Sequence, residues 1–261
     1  MRTLIKWFSV FFIVLVLLLG SLRLHPYYQM AIKHDALMEK TDSSLNDTLK
    51  IAFIGDSWAA YHHQYDSLLC SMLSSDGHSY YVISKGNVGA KSKQIYQCLS
   101  TTTKPILLNH PNYCIVSAGI NDAVAKMGSY YYVHHYMLIL QQLLESGIKP
   151  VVLEMPNVNY HAIAGREPWM MRIHHVLSSM ITGSEVYGFD SYKTALIQAI
   201  KNSDMQSRII YIGADQWNAD GYLEDRGFYM EDETHLNAVG YEILDSCIAS
   251  ELHKDIEIIN N

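Results

Sequence analysis

From residue 49 onward, short apolar runs typical of strands alternate with longer segments typical of helices. This alternation predicts an α/β fold with a parallel sheet, because parallel strands need crossover connections and the crossover helices cover both faces of the sheet. The predicted strands are 51–54, 80–84, 112–117, 150–154 and 208–212. The predicted helices are 58–75, 91–99, 130–145, 169–180, 192–201 and 238–252.

An apolar segment near the N-terminus, residues 7–22, carries no charge and is flanked by Lys6 and Arg23. As a helix it would span about 24 Å, slightly short of a bilayer core, and the flanking cations can reach the headgroups. We therefore expect residues 1–24 to anchor the chain in a membrane. A cleaved signal peptide is the alternative, although Gly20-Ser21-Leu22 is a poor cleavage site.

The anchor sets the expected domain organisation and location. Residues 25–48 form a polar connector, which we predict to be a linker, and residues 49–261 are long enough for one α/β domain. With either an anchor or a signal peptide, this domain is expected outside the cytoplasm, in the periplasm or at the cell surface.

Charge and cysteine content limit the partners and cofactors. The net charge is −7 and no Lys/Arg run occurs beyond the first few residues, so nucleic acid is not an expected partner. The cysteines lack C-x-x-C spacing, and the adjacent histidine pairs face different ways on a helix, so no metal site is expected. In an oxidising compartment one or two disulfides could form; Cys114 lies in an apolar run and is expected to be a buried thiol.

The first motif with chemical potential is Gly55-Asp56-Ser57, directly after the strand 51–54 and before a helix. Open α/β folds place their sites at the carboxyl ends of strands. A serine at a helix N-terminus also lies beside free backbone N–H groups and the positive end of the helix dipole. Ser57 is therefore a candidate nucleophile, although this tripeptide is also a common turn.

Two further strand ends could supply donors for a developing negative charge. In the turn 86–92, glycines allow backbone N–H groups to approach a ligand, and Ala90 stands where a nucleotide-binding P-loop requires Gly. After the strand 112–117, Asn121 could direct its side-chain amide at the same crevice. The alternatives are an ordinary turn at 86–92 and a helix cap at Asn121 and Asp122.

A candidate base precedes the last helix, in Asp232-x-x-His235. The i, i+3 spacing brings two side chains to one face of a turn, so Asp232 could accept a hydrogen bond from one ring nitrogen of His235. The other nitrogen would then be free to take the proton of Ser57. Glu231 and Glu233 are competing acids expected to point elsewhere.

These motifs together resemble the four sequence blocks of the SGNH (GDSL-type) hydrolase family, from about residue 50 to residue 252. The matching residues, in order, are Gly55-Asp56-Ser57, Gly89, Gly119-x-Asn121-Asp122 and Asp232-x-x-His235. The resemblance implies a flavodoxin-like, three-layer α/β/α fold and a serine esterase without a cofactor. It also implies a triad of Ser57, His235 and Asp232, with an oxyanion hole from the N–H groups of Ser57 and Gly89 and the amide of Asn121. Gly89 is chosen over nearby Gly86 because 89–92 matches the family's Gly-x-x-Ser pattern.

The functional expectation combines the resemblance with the anchor. It is a membrane-anchored, extracytoplasmic serine esterase that removes small acyl groups, chiefly acetyl, from a carbohydrate. One alternative is an acyltransferase, in which a sugar hydroxyl intercepts the same acyl-enzyme. Another is a glycan-binding protein that kept the fold without catalysis. The segment 157–168 is predicted to be a long irregular loop, a kind of segment that often shapes specificity.

Overall fold

The computed structural model describes residues 2–35, 48–156, 158–185, 187–218 and 226–260. Within these ranges, five strands form one parallel sheet in the order β2-β1-β3-β4-β5. The strands are β1 (Thr48–Gly55), β2 (Ser79–Gly86), β3 (Tyr113–Ser117), β4 (Lys149–Leu153) and β5 (Ile210–Ile212). The order reverses between β1 and β3, and open α/β sheets bind ligands beyond the carboxyl ends of strands at such a point.

Helices cover both faces of the sheet, which confirms the expected three-layer α/β/α architecture. Helices α4, α7 and α10 pack side by side, and α3 packs against α11. The helices up to β4 are α1 (Arg2–Tyr28), α2 (Ser57–His62), α3 (Asp66–Leu73), α4 (Ser92–Cys98), α5 (Lys104–Leu107), α6 (Ile120–Val124) and α7 (Ser129–Glu145). Beyond β4 they are α8 (Tyr160–Arg166), α9 (Trp169–Thr182), α10 (Asp190–Lys201) and α11 (Ala238–Asn260).

The central strands have apolar side chains on both faces because helices cover both faces. Residues 51–54 of β1 are fully buried, and every residue of β3 is buried. Burying an apolar side chain of this size stabilises the fold by about 1.5–3 kcal/mol. The short, continuously apolar runs therefore correctly predicted central parallel strands.

One predicted helix and one predicted irregular segment differ from the structure. The predicted helix 58–75 is interrupted by a 3₁₀ turn at His63–Tyr65, and α3 begins at Asp66. Asp66 favours this new start because its carboxylate lies at a helix N-terminus and accepts hydrogen bonds from Ser84 N–H (3.1 Å) and O–H (2.5 Å) in β2. The prediction of an irregular segment 157–168 is also wrong, since α8 occupies most of it.

The N-terminal helix α1 contains an apolar stretch, Thr3–Gly20, that is long enough to cross a membrane. The helix continues to Tyr28, inside the predicted linker. Residues 31–35 then lie against the domain: Ala31 N–H donates to His135 Nε2 (3.0 Å), and His34 N–H donates to the Tyr96 hydroxyl (2.9 Å). Much of the predicted linker, residues 36–47, lies outside the described residues.

All four cysteines are unpaired in the structure, so neither of the disulfides considered from sequence is present. Cys114 is fully buried in β3, as predicted, and burial raises the pKa of its thiol. The remaining three, Cys70, Cys98 and Cys247, are partly exposed.

A buried polar network joins α2 to β2 and α11. His62 is fully buried; its Nε2 lies 2.7 Å from Asp245 Oδ1 and its Nδ1 lies 2.7 Å from Ser84 Oγ. Burial alone would lower the pKa of His62, but the carboxylates of Asp245 and Asp66 outweigh that effect and raise the pKa to about 8. Since an unperturbed histidine has a pKa near 6.5, the folded state binds this proton more tightly than the unfolded state.

We therefore expect His62 to make stability decrease with rising pH. A histidine with a raised folded-state pKa contributes its full stabilisation below about pH 6.5 and loses it as the pH passes about 8, a difference of roughly 2 kcal/mol. Urea unfolding of the full chain in detergent from pH 6 to 9 measures this decrease. Burial also raises the pKa values of Asp56 and Asp122, so these groups also make stability decrease with rising pH. The contribution of His62 is therefore measured by comparing the parent with His62→Gln. That variant should be less stable at pH 6 and lose less stability between pH 6.5 and 8; parallel curves would contradict the assignment.

Candidate active site

Ser57 is the first residue of α2, directly after β1, where the sequence analysis placed it. Gly55 has a φ of 155°, and a Cβ there would overlap the backbone carbonyl oxygen of Ser117, so only glycine fits this strand end. Asp56 then caps α2: its Oδ1 accepts from Trp58 N–H at 3.0 Å. The tight turn and the cap together place Ser57 at the helix N-terminus, where the helix supplies no acceptor for its backbone N–H.

The histidine and aspartate predicted from Asp232-x-x-His235 meet Ser57 in space. His235 Nε2 lies 2.8 Å from Ser57 Oγ, and His235 Nδ1 lies 2.5 Å from Asp232 Oδ2. The chain separation between the serine and the histidine is 178 residues. The structure therefore brings together the three residues chosen from sequence as nucleophile, base and orienting acid.

Asp232 is held in position by hydrogen bonds to both carboxylate oxygens. Its Oδ1 accepts from the backbone N–H groups of Thr234 and His235, each at 3.0 Å, while Oδ2 faces the imidazole. Partial burial alone would raise the pKa of Asp232, but these hydrogen bonds outweigh that effect and hold the pKa below its ordinary value. The carboxylate thus stays charged beside Nδ1, which favours the tautomer with the proton on Nδ1. The Tyr61 ring packs against the imidazole at a steep angle, with ring centroids 4.7 Å apart and ring planes 74° apart.

The backbone that carries this pair is a non-helical loop. Residues 231–235 form turns in which Glu233 has a φ of 56°, and an antiparallel bridge between Tyr229 and Leu236 closes the loop. The i, i+3 contact expected on one face of a turn is therefore present, on a turn that is not helical. Glu233, one of the competing acids, instead accepts from Asn159 Nδ2 at 2.7 Å.

The two predicted donor loops also lie at this edge and are linked to each other. Gly89 has a φ of 75° and open space where a Cβ would lie. Asn121, in the first turn of α6, donates from Nδ2 to the carbonyl oxygen of Ala90 at 3.1 Å. An amide nitrogen carries two protons, so this bond leaves one available for a ligand. Asn87 N–H in turn donates to Gly55 O at 2.9 Å, which ties the loop to the strand end before Ser57.

A buried carboxylate strengthens this connection. Asp122 is fully buried and accepts from Ser92 N–H at 2.8 Å and from Ser92 Oγ–H at 2.6 Å. Asp122 is expected in the Gly119-x-Asn121-Asp122 motif or in a helix cap; in the structure it bridges α6 to the N-terminus of α4. The bridge explains the Gly-x-x-Ser spacing from Gly89 to Ser92, because the serine fixes the loop that presents the glycine.

Gly86, the alternative to Gly89, has a different role. It lies at the end of β2 opposite Gly55, and a Cβ on it would overlap the backbone at Asp56, Ala59 and Ala60. Gly86 therefore allows α2 to approach β2 closely.

Two features of the site were not anticipated. Asp56 is fully buried, and burial raises its pKa to about 7 despite the hydrogen bond from Trp58 N–H. In addition, Arg166 of α8 donates from Nη1 to the Asp232 carbonyl oxygen and from Nη2 to Thr234 Oγ1 (2.9 Å). The segment 157–168 was expected to influence specificity, but here it braces the loop that carries Asp232 and His235. A contact across 66 residues has no local sequence signal.

The arrangement has the parts needed for acyl transfer. A serine hydroxyl faces one ring nitrogen, and the other ring nitrogen faces a charged carboxylate, so the imidazole can accept a proton from the serine. Within the described residues, no group of three His, Cys, Asp or Glu side chains could hold a metal ion.

Comparisons with known proteins bear on the fold of the chain. No family profile and no curated protein sequence matches the chain. Among solved structures, an acetyl xylan esterase is similar, with a TM-score of 0.54 and 18% identity over 80% of this chain and 100% of that chain. A GDSL-like lipase from Bacteroides thetaiotaomicron has a TM-score of 0.52 and 16% identity over 79% and 88% of the two chains. A psychrotrophic esterase from Pseudoalteromonas has a TM-score of 0.52 and 15% identity over 81% and 99%. At these identities the likeness shows a shared fold, the α/β/α fold expected from sequence.

Proposed function

We propose that this chain is a serine ester hydrolase that removes small acyl groups, chiefly acetyl, from a carbohydrate. The observation that carries the proposal is the 2.8 Å contact between Ser57 Oγ and His235 Nε2, with Asp232 on the opposite ring nitrogen. The shared fold with an acetyl xylan esterase supports the choice of an acetylated carbohydrate as substrate.

The proposed reaction has two stages. Ser57 Oγ attacks the ester carbonyl carbon while His235 Nε2 takes the hydroxyl proton, and the N–H groups of Ser57 and Gly89 with the Asn121 amide stabilise the oxyanion. Collapse breaks the ester bond; Nε2–H gives its proton to the leaving sugar oxygen, and the acyl group stays on Ser57. Water then attacks the acyl-enzyme, with Nε2 as base, to release a carboxylic acid and restore the serine hydroxyl.

The proposed location follows from the N-terminal helix. The stretch Thr3–Gly20 supports residues 1–24 as a membrane anchor, and residues 49–261 as a catalytic domain on the extracytoplasmic side. Residues 25–48 connect the two. The proposed partners are therefore the membrane and an acetylated carbohydrate.

The direct test uses the full chain in detergent. We expect hydrolysis of p-nitrophenyl acetate, with a lower kcat/KM for long-chain esters, and release of acetate from acetylated oligosaccharides. A fluorophosphonate should modify Ser57, as identified by peptide mass spectrometry. A chain that neither hydrolyses acetyl esters nor reacts with the probe would show that the proposed function is wrong.

The contribution of Asn121 can be measured separately. We expect Asn121→Ala to lower kcat by about 10²–10³-fold with a small change in KM, because a preorganised oxyanion donor acts mainly in the transition state. Asn87→Ala is the matched control: that side chain lies near Cys98 and Thr102, and kcat should not change. Thermal unfolding of both variants checks that the lost bond to Ala90 O has not disordered the loop. Equal kcat for Asn121→Ala and the parent would exclude the side chain from the oxyanion hole.

A further inference from the structure

Helix α9 buries polar residues and exposes apolar ones, which is the reverse of a typical helix on the surface of a soluble domain. Its buried residues are polar: His175, Ser178 and Ser179. Its exposed residues are mostly large and apolar, and Trp169, Met170 and Met180 are each more than 60% exposed. The exposed apolar face comprises Trp169, Met170, Ile173, Val176, Met180 and Ile181. A surface helix normally directs its apolar stripe inward, so this face is expected to meet a second apolar medium.

The buried polar residues of α9 have partners within the helix or directly before it. His175 Nδ1 lies 2.9 Å from Glu167 Oε2, and Ser178 and Ser179 donate to the carbonyl oxygens of His174 and Val176 in α9 itself. These side chains therefore have partners in the buried position, as buried polar groups require.

The neighbour of α9 indicates what medium covers this face. Helix α1, which contains the apolar stretch Thr3–Gly20, packs against α9. Between residues 3 and 20, only Val16 and Gly20 are partly buried, and the other side chains are exposed. The partial burial of Val16 and Gly20 indicates that α1 meets α9 toward the C-terminal end of the apolar stretch, where that stretch would leave a bilayer. The apolar surfaces of α1 and α9 are thus adjacent.

We propose that α9 lies along the bilayer surface with its apolar face inserted into the lipid. The proposal rests on the proposed anchoring of the chain by α1. An amphipathic helix in this position buries its apolar face at the boundary between headgroups and acyl chains, where tryptophan is enriched. The partner is the lipid bilayer itself.

This placement has a consequence for the catalytic edge. Only Glu167 and Pro168 separate α9 from α8, and Arg166 of α8 holds the loop of Asp232 and His235. A lipid-bound α9 therefore keeps the active site close to the bilayer. The substrates of the proposed esterase would be acyl esters presented at the membrane surface, not esters on polymers distant from it.

Trp169 provides a direct probe in the full chain. In a Trp7→Phe background the remaining tryptophans are Trp58 and Trp217, which are buried in the domain, and Trp169, which is 68% exposed. The protein is reconstituted in phosphatidylcholine vesicles with either ordinary or dibrominated acyl chains. The Trp169 signal is the difference between this background and the same chain carrying Trp169→Phe.

We expect brominated lipid to reduce the Trp169 signal by about twofold or more, because bromine quenches only fluorophores inside the bilayer. Quenching by aqueous acrylamide but not by brominated lipid would show that the face meets water and would overturn the proposal. Protection from both quenchers would show that protein, such as a second copy of this chain, covers the face, and would overturn it equally. The Trp7 signal, taken as the difference between the parent and the Trp7→Phe background, tests insertion of α1 alone, and hydrolysis of soluble p-nitrophenyl acetate tests the proposed function. Failure of the α9 proposal, of the anchor and of the esterase proposal can therefore be told apart.

Discussion

Ser57→Ala is expected to lower kcat for p-nitrophenyl acetate by about 10⁶-fold, the loss typical of removing one member of a serine–histidine unit. The substitution removes the atom that forms the acyl-enzyme, and the backbone N–H groups that remain can only polarise the ester for attack by water. Because Ser57 is the first residue of α2 and its side chain is not the cap, the fold should be unchanged. Steady-state rates with the full chain in detergent, with thermal unfolding alongside, measure both effects.

Two further variants test whether the serine and histidine act as a unit. His235→Ala should cost about as much as Ser57→Ala, and the double variant should cost no more than either, since each change disables the same step. Ser100→Ala is the control: its hydroxyl donates to the Gln97 carbonyl oxygen on the exposed end of α4, and the rate should equal that of the parent. Substantial hydrolysis by Ser57→Ala would mean that another group performs the chemistry.

The parts of the fold that were predictable depend on local patterns. Residues 51–54, and residues 113–116 within the predicted strand 112–117, are apolar because both faces of β1 and β3 are covered by helices. The positions of Ser57 and Asn121 followed from the same patterns, because parallel strands end at one edge of a sheet. Local sequence therefore predicts that these two side chains lie at the same edge of the sheet.

The parts that were missed depend on contacts between distant residues. The break at His63–Tyr65 reflects the hydrogen bonds of Asp66 to Ser84, and α8 is braced by the bond from Arg166 to the loop at Asp232. Burial of the polar face of α9 depends on how this helix packs against the rest of the domain. Helical periodicity shows that a helix has two faces, but it does not show which face the domain buries.

The loop at Asp232 shows how much of the site geometry the residue spacing leaves open. The i, i+3 spacing predicts only that two side chains share one face of a turn. In the structure Glu233 adopts a positive φ, and the backbone folds back through a bond from Met230 N–H to His235 O at 2.8 Å. The aspartate reaches the imidazole because its other oxygen accepts from two backbone N–H groups of the same loop. The loop is thus organised around the carboxylate, so a change at Asp232 must be chosen to preserve those bonds.

Asp232→Asn meets that requirement and is expected to lower kcat by about 10⁴-fold. The asparagine oxygen can still accept from Thr234 and His235 N–H, so the loop should keep its shape. Its NH₂ group would face His235 Nδ1 and donate to it, which moves the ring proton to Nε2. A neutral imidazole that carries its proton on Nε2 cannot accept the proton of Ser57 at that nitrogen. An imidazolium formed during attack would also lack the charged carboxylate beside it. We expect KM to change little, because substrate binding does not use this carboxylate.

Glu231→Gln is the matched control, since it removes the same charge from the same loop at an exposed residue. Its kcat should equal that of the parent, which separates loss of the orienting carboxylate from a general change in local charge. Thermal unfolding should show both variants folded. If Asp232→Asn kept the parental kcat while Glu231→Gln lowered it, the orienting acid would be Glu231. In that case Glu231 would have to replace Asp232 beside the imidazole of His235 in solution. The hydrogen bonds that hold Asp232 on the imidazole would have to break for this to happen.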